Sequence, residues 1–261
     1  GKLLEEKLGF DLIDLDKIIS NEFNASIPEI IEKYGWKKFR DIESTKLYSL
    51  LENNENKFRS YRCISTGGGV VENNISRNLI DNGTIIWIRR SLDKLEVGNR
   101  KLPGTIEKLY EKRKNYYENL ADYIFDNDGN KDDFISWFKV VFSNHPLPSN
   151  STFLCKTDDE YEDNISNAIE LRGDLMDNLG LDKIQSTIIK FNRPIIYTIR
   201  SEKEFGKFKL NTLNSKHVYE KAIFDAIKLG SRVIDIEINQ NLENEKFFRK
   251  IFQNKNNVQI L

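Results

Sequence analysis

Beyond residue 150 this chain alternates short apolar runs with longer amphipathic stretches. Strands are expected at 152–156, 168–172, 194–199, 232–238 and 257–261, and helices at 159–167, 179–190, 215–229 and 243–254. A helical stretch separates each strand run from the next, so tight hairpins cannot join them. Each strand must run parallel to its predecessor, with a helix crossing between them. This selects a parallel sheet or barrel. The rhythm supplies about five strands and four helices, against eight of each in a closed barrel, so an open parallel sheet and a partial (β/α)8 barrel both stay open.

The N-terminal half is also α/β. Residues 3–8 read as a helix end stopped by Gly9, and 10–13 as a buried strand ending in Asp14-Leu15-Asp16. Helical patterns follow at 16–24 and 27–34, the second entered through Ser26-Ile27-Pro28-Glu29. Residues 36–53 form a long helix with Trp36, Phe39, Ile42, Leu47 and Leu51 on one face. A strand at 61–64 precedes Ser65-Thr66-Gly67-Gly68-Gly69. A helix near 73–81, a strand at 84–88, a Gly/Pro-punctuated lid at 96–105, a helix at 106–120, a strand at 123–125 and a helix at 131–142 complete the half. The stretch Ser143-Asn144-His145-Pro146-Leu147-Pro148-Ser149-Asn150 is polar, aperiodic and holds two of the five prolines. The expected organisation is therefore 1–142, a linker at 143–151, and 152–261.

Charge and cysteine usage exclude several partner classes. Lys+Arg total 40 and Asp+Glu total 41, so no net field draws the chain toward nucleic acid or anionic lipid, and neither is expected as a partner. No apolar run approaches the ~20 residues of a membrane span. Cys63 and Cys155 lie far apart without metal-ligand spacing and are expected as buried thiols in a reducing, cytoplasmic setting. Residue 1 is Gly and the single methionine is Met176, so chain and gene product are expected to differ.

The triple glycine is the most informative local motif. Three residues without side chains admit a ligand close to the backbone and tolerate positive φ, and such a loop can cradle an anion or a polyol ring. Upstream, Asp14 and Asp16 end a strand, where alternation would point both carboxylates to one side. They suit hydrated Mg²⁺ or a substrate hydroxyl, with an N-cap for the next helix as the alternative. Arg40 and Glu43 share a helix face at i, i+3, as a surface ion pair also would. Arg113 stands in a basic stretch. In the second half, Glu170 and Arg172 share one face of a strand, Arg200 ends the next strand with Glu204 four residues on, and Asp235 and Glu237 lie on the strand after that. Charged groups at the carboxyl ends of parallel strands suit a barrel active site, or buried ion pairs closing the barrel layers.

The order Asp-Leu-Asp, Phe39-Arg40-Asp41-Ile42-Glu43, Ser65-Thr66-Gly67-Gly68-Gly69, a loop arginine, then Arg113-x-x-x-Tyr117 and Ala121-Asp122-Tyr123 resembles shikimate kinase over residues 1 to about 142. Tyr34-Gly35-Trp36-Lys37-Lys38-Phe39-Arg40 and the glycine segment through Glu72 look most like the kinase module of fungal pentafunctional AROM polypeptides. The resemblance implies a P-loop-kinase (adenylate-kinase-like) parallel sheet domain, using ATP and Mg²⁺ to phosphorylate shikimate. Asp16 would hold the accepting hydroxyl and Asp14 would organise Mg²⁺ through water. Arg40 and Arg113 would grip the carboxylate, Gly67, Gly68 and Gly69 would approach the ring, and Arg100 would be the catalytic lid arginine. Lys101 stands where that family usually has proline. The first strand and the phosphate-cradling loop are expected upstream of Gly1, with Gly1-Lys2 the start of the helix that follows the loop, so the 261 residues alone are expected to be a weak kinase.

Ile169-Glu170-Leu171-Arg172-Gly173-Asp174, Ile196-Tyr197-Thr198-Ile199-Arg200 with Glu204, and Val233-Ile234-Asp235-Ile236-Glu237 resemble type I 3-dehydroquinate dehydratase over about 152–261. Glu170, Arg172, Arg200 and Glu204 would then bind dehydroquinate. Phe205 stands where that family has a small residue. The imine-forming lysine and its histidine are expected beyond Leu261, since His145 lies in the linker and His217 opens a helix. The resemblance implies covalently fused neighbouring pathway domains and allows a homodimer of the parent. Two alternatives stay open: a kinase of the same fold acting on another small molecule, and a catalytically silent ligand-binding scaffold.

Overall fold

A computed structural model of the chain describes residues 1–52, 61–95, 102, 104–143, 166–237, 247, 249–251 and 258–261, with the backbone of 153–156. The chain forms two compact units, Gly1–Ile85 with Arg90–Ala121, and Ile86–Arg89 with Asp122–Leu261. The pieces Ile86–Arg89 and 122–142, assigned by the sequence reading to residues 1–142, fall in the second unit.

The first unit runs α1 (Lys2–Leu8), β1 (Asp11–Asp14), α2 (Leu15–Phe23), α3 (Ile27–Glu52), β2 (Arg62–Ser65), a 3-10 turn (Val70–Glu72), α4 (Asn74–Ile80) and α5 (Ile106–Leu120). Gly9 ends α1 in the left-handed region at φ 70°, which glycine enters without a Cβ penalty. Ser26 and Glu29 cap α3 reciprocally: the Ser26 N–H and hydroxyl both donate to Glu29 Oε2 at 2.7 Å, and Glu29 N–H donates back to Ser26 Oγ. Gly35, at φ 77° and ψ 162°, breaks α3 internally, so the two helices expected at 27–34 and 36–53 meet at this kink. The inner faces of α2 and α3 bury Leu15, Ile19, Ile30, Phe39 and Leu47 against Val70 and Val71. Each such aliphatic side chain contributes roughly 2 kcal/mol relative to exposure.

β1 and β2 pair in parallel, with Asp14 opposite Ser65. Both strands therefore end at the same edge, so the turn after Asp14 and the glycine loop after Ser65 emerge side by side. One detail corrects the sequence expectation. Asp14 ends β1, but Leu15 and Asp16 already belong to α2, so strand alternation does not govern Asp16. Cys63, expected to be buried, is half-buried on β2, and burial raises its thiol pKa.

The second unit contains β3 (Ile86–Arg89), β4 (Tyr123–Asp126), α6 (Asp133–Val141), β5 (Phe153–Lys156), β6 (Ala168–Arg172), α7 (Leu181–Phe191), β7 (Ile195–Thr198), α8 (Leu213–Leu229), β8 (Val233–Asp235) and β9 (Gln259–Ile260). β5 to β9 are successive parallel neighbours, the arrangement a barrel wall requires. Ile169, Leu171, Ile195, Tyr197, Val233 and Ile234 are fully buried, as a parallel strand covered on both faces demands. Thr212 and Ser215 form a capping box on α8. The helix expected at 159–167 falls largely outside the described residues. β3 starts two residues later than the strand expected at 84–88. Its register is set by β4, with Arg89 opposite Asp126 and their side chains paired, Nε to Oδ1 at 2.5 Å and NH2 to Oδ2 at 2.8 Å.

Gly230 ends α8 at φ 113°. A Cβ there would stand 2.7 Å from both Trp137 Nε1 and Val141 Cγ2. Gly230→Ala is expected to destabilise the second unit by about 2 kcal/mol, read from its urea midpoint. A change within experimental error would show that this turn relaxes freely.

Candidate functional site

At the edge where β1 and β2 end, Asp16, Arg40, Gly67, Gly68, Gly69 and Arg113 line one cleft, completed by Trp36, Phe39, Glu43 and Leu102. These residues come from α2, α3, the glycine loop, residue 102 and α5, all in the first unit. The cleft encloses roughly 390 Å³, including its open mouth.

The glycines are required for space. Gly67, Gly68 and Gly69 are not among the positive-φ residues, which corrects one reason given for them from sequence. A Cβ on Gly69 would overlap the Arg40 guanidinium. One on Gly68 would meet the Tyr117 hydroxyl at 3.0 Å, and one on Gly67 would sit 3.6 Å from Glu43 Oε1 and 3.7 Å from Asp16 Oδ1. Bare backbone is thus packed beneath charged side chains. Tyr117 closes the floor by donating its hydroxyl to Gly68 O at 2.5 Å, and burial raises its pKa.

Arg40 and Glu43 are no surface pair. Arg40 NH1 donates to Glu43 Oε2 at 2.8 Å, with side-chain exposures of 13% and 1%. The guanidinium also lies 5.3 Å from the Trp36 ring and 5.4 Å from the Phe39 ring, a cation–π setting that fixes its plane. Glu43 Oε1 is buried and, among the described residues, has no hydrogen-bond partner. Burial raises the Glu43 pKa, Arg40 opposes that shift, and neighbouring Asp16 adds to it. A buried acceptor aimed at the glycine floor is suited to a ligand hydroxyl. Sequence reasoning did not place Glu43 in the site, because i, i+3 spacing alone does not reveal burial.

Asp14 uses Oδ1 to accept the Lys17 N–H at 3.2 Å, capping α2. Arg100 lies outside the described residues, as does most of the expected lid.

The second unit gathers another charged cluster at the carboxyl ends of β6, β7 and β8. Glu170 accepts from Thr198 Oγ1 at 2.9 Å. Asp174 accepts Arg172 Nε and NH2 at 2.9 and 2.8 Å, and the N–H groups of Arg200 and Lys207. Burial works against its charge, but these donors outweigh burial and hold its carboxyl below the usual range. Arg200 NH2 donates to Asp235 Oδ2 at 2.5 Å. Burial raises the Asp235 pKa despite Arg200. Glu237 Oε1 accepts Ser201 N–H at 2.6 Å. Glu204 ends a 3-10 turn (Glu202–Glu204), followed by Phe205 in the left-handed region at φ 61° and 98% exposed. Arg172 and Arg200 thus stand at adjacent strand ends, paired with Asp174 and Asp235; Asp235 is among the strand-end charges noted from the sequence, whereas Asp174 had no role there. His217 is exposed in the first turns of α8.

Two guanidinium groups, the buried Glu43, Asp16 and a bare glycine floor, held where parallel strands end, make an α/β cleft whose chemistry suits a small anionic polyol. Residues 1–141 match the shikimate kinase family model, and the chain belongs to that family. Residues 155–261 match the model of type I 3-dehydroquinase. The chain is 26% identical to the pentafunctional AROM polypeptide of Clavispora lusitaniae over 98% of its own length, and 26% identical to that of Scheffersomyces stipitis over 96%. It spans 18% of the length of each of these relatives. Among solved structures it is similar to a shikimate kinase from Acinetobacter baumannii in complex with shikimate, 24% identical, covering 56% of this chain and 86% of that one at a TM-score of 0.48. Among the described residues, no helix is long and apolar enough to cross a membrane.

Proposed function

We propose that residues 1–142 bind shikimate and, in the whole protein, direct phosphorylation of its 3-hydroxyl by ATP, while 152–261 contribute to dehydration of 3-dehydroquinate to 3-dehydroshikimate through a Schiff base. The observation that carries the first part is the meeting of Arg40, Arg113 and Asp16 over Gly67–Gly69 in one cleft. Arg40 and Arg113 hold the ring carboxylate, a task matched to the guanidinium fork. Asp16 takes the hydrogen bond of the accepting hydroxyl, and Glu43 Oε1 that of another ring hydroxyl. Arg100 serves as the lid arginine.

ATP supplies the phosphoryl group when bound, and Mg²⁺ neutralises charge on its phosphate oxygens. Mg²⁺ is ordinarily held by one or two carboxylates with water and phosphate oxygens. Asp14 and Asp16 provide such donors, and no cluster of three or more ligating side chains occurs among the described residues. In the second half, Glu170, Arg172, Arg200 and Glu204 bind dehydroquinate. The compartment in this reading is the cytoplasm, and the partners are the small-molecule substrates and the fused pathway domains.

The first part is tested by calorimetric titration of the 261-residue chain with shikimate and, in parallel, gluconate. Shikimate is expected to bind with a Kd below about 1 mM and gluconate at least tenfold more weakly. Arg113→Ala is expected to weaken shikimate binding by about thirtyfold. Equal affinity for the two acids would assign the cleft to a different small-molecule kinase, and no binding of either would sink the reading.

A further inference from the structure

Glu72 closes the 3-10 turn after the triple glycine, its N–H bonded to Gly69 O at 3.0 Å. Its carboxylate reaches across to α5. Oε1 accepts Arg113 Nε at 2.8 Å and also Arg113 NH2, while Oε2 accepts Lys112 Nζ at 2.5 Å. Arg40 NH2 lies 3.9 Å from the same Oε1. Arg113 lines the cleft, whereas Glu72 stands outside its lining. Glu72 and Arg113 are mostly buried, with side-chain exposures of 16% and 13%, and Lys112 is 59% exposed.

These contacts separate two roles a carboxylate could play beside a guanidinium that receives a ligand. A carboxylate inside the cleft would compete for the edge the ligand needs. Glu72 instead engages the Nε–NH2 edge from outside, so the edge remaining for a ligand is the terminal one. Fixing the plane of the fork in advance lowers the ordering cost of a bidentate contact. Lys112 balances the second oxygen of Glu72, which limits repulsion of an incoming anion.

We propose that Glu72 is a positioning residue for Arg113, and that through it the first unit distinguishes a carboxylated ring from its uncharged counterpart. This rests on the reading of the cleft as a shikimate site. It assigns the selectivity to a group 41 residues from the arginine it holds.

The test is a cycle of two proteins and two ligands, wild type and Glu72→Gln, each titrated with shikimate and with its methyl ester. Wild type is expected to prefer shikimate by at least about tenfold. Glu72→Gln keeps the shape and removes the charge, so it is expected to lose about tenfold for shikimate and nothing for the ester. An equal loss for both ligands would make Glu72 merely structural, and a gain for shikimate would make it a competitor. No change would leave Arg113 positioned without it. Each of these results overturns the proposal. Failure of wild type to tell the two ligands apart would bring down the shikimate reading itself, and this proposal with it. Lys112→Gln, at an exposed position, is the second variant if Glu72→Gln does not fold. It is expected to lose about threefold for shikimate alone, and an unchanged affinity would overturn the proposal.

Discussion

Arg40→Ala is expected to destabilise the first unit by about 3 kcal/mol and to abolish measurable shikimate binding. The two losses have different origins. Binding fails because one of the two guanidinium groups is gone. Stability falls because Glu43 stays behind, 1% exposed, without its hydrogen-bonded cation and with only the weaker field of Arg113 to balance its charge. An uncompensated buried carboxylate costs far more than the intact pair gains. The second substitution separates these origins. In Arg40→Ala/Glu43→Gln the charge is removed as well, so most of the stability is expected to return while binding does not. The pH dependence carries a sign. Burial already raises the Glu43 pKa above its ordinary value in the folded state, so the folded state holds the proton more tightly than the unfolded. Its effect is therefore absent below the unfolded pKa near 4.5, and stability is lost as pH rises from there through the folded pKa. Removing Arg40 takes away the largest of the groups that oppose the shift, leaving Arg113, which widens that window. The Arg40→Ala deficit is expected to shrink on acidification toward pH 4.5, read by urea unfolding at several pH values. A deficit independent of pH would show that lost ring stacking on Trp36 and Phe39, and not the charge of Glu43, is responsible.

What could be read from the chain was local. The bounds of α5 and β6 were legible because Thr105 caps one and an uninterrupted apolar run defines the other. Gly9 and Gly35 announced their breaks because glycine takes those backbone angles at the least steric cost. The residues of the cleft were legible as candidates from motif order, although the strand-alternation argument for Asp16 fails because α2 begins at Leu15. What stayed hidden depends on distant pairing. The start of β3 follows from Tyr123 on β4, opposite Ile86 and 37 residues away. Glu43 looks like any i, i+3 partner until the fold buries it beside the glycine floor. Glu72 meets Arg113 only because α5 lies across the turn that follows the glycines. Asp174 reads as a loop residue, and its role as acceptor for Arg172, Arg200 and Lys207 requires β7 in register with β6.

Trp137→Ala is expected to cost the second unit about 4 kcal/mol. Trp137 is fully buried on α6. Its ring meets Phe125 at 5.3 Å, Phe134 at 6.0 Å and Tyr123 at 6.2 Å between centroids. Its Nε1–H donates to Leu229 O at 3.0 Å, 92 residues away at the end of α8. That carbonyl is one of the terminal acceptors a helix leaves unsatisfied, so the indole supplies both packing and a cap. Trp137→Phe separates the two contributions. It retains most of the ring contact and removes the donor, and is expected to cost about 1.5 kcal/mol. A cost below 1 kcal/mol for the alanine variant, measured by urea unfolding with an unchanged slope, would mean that the aromatic cluster collapses to fill the cavity. The larger consequence concerns the chain as a fused protein. α6 lies within the residues matched to shikimate kinase and α8 within those matched to type I 3-dehydroquinase, yet both belong to one compact unit. Gln185 on α7 reinforces the join, accepting Asp126 N–H and donating to Asp126 O at 2.8 Å each, and Arg232 donates to Val141 O. Cutting the chain within 143–151 would strip α7 and α8 of that cover. Residues 152–261 alone are therefore expected to aggregate or melt without a cooperative transition, and a sharp, reversible transition in that segment would show that α6 is a lodger on this unit and not part of its core.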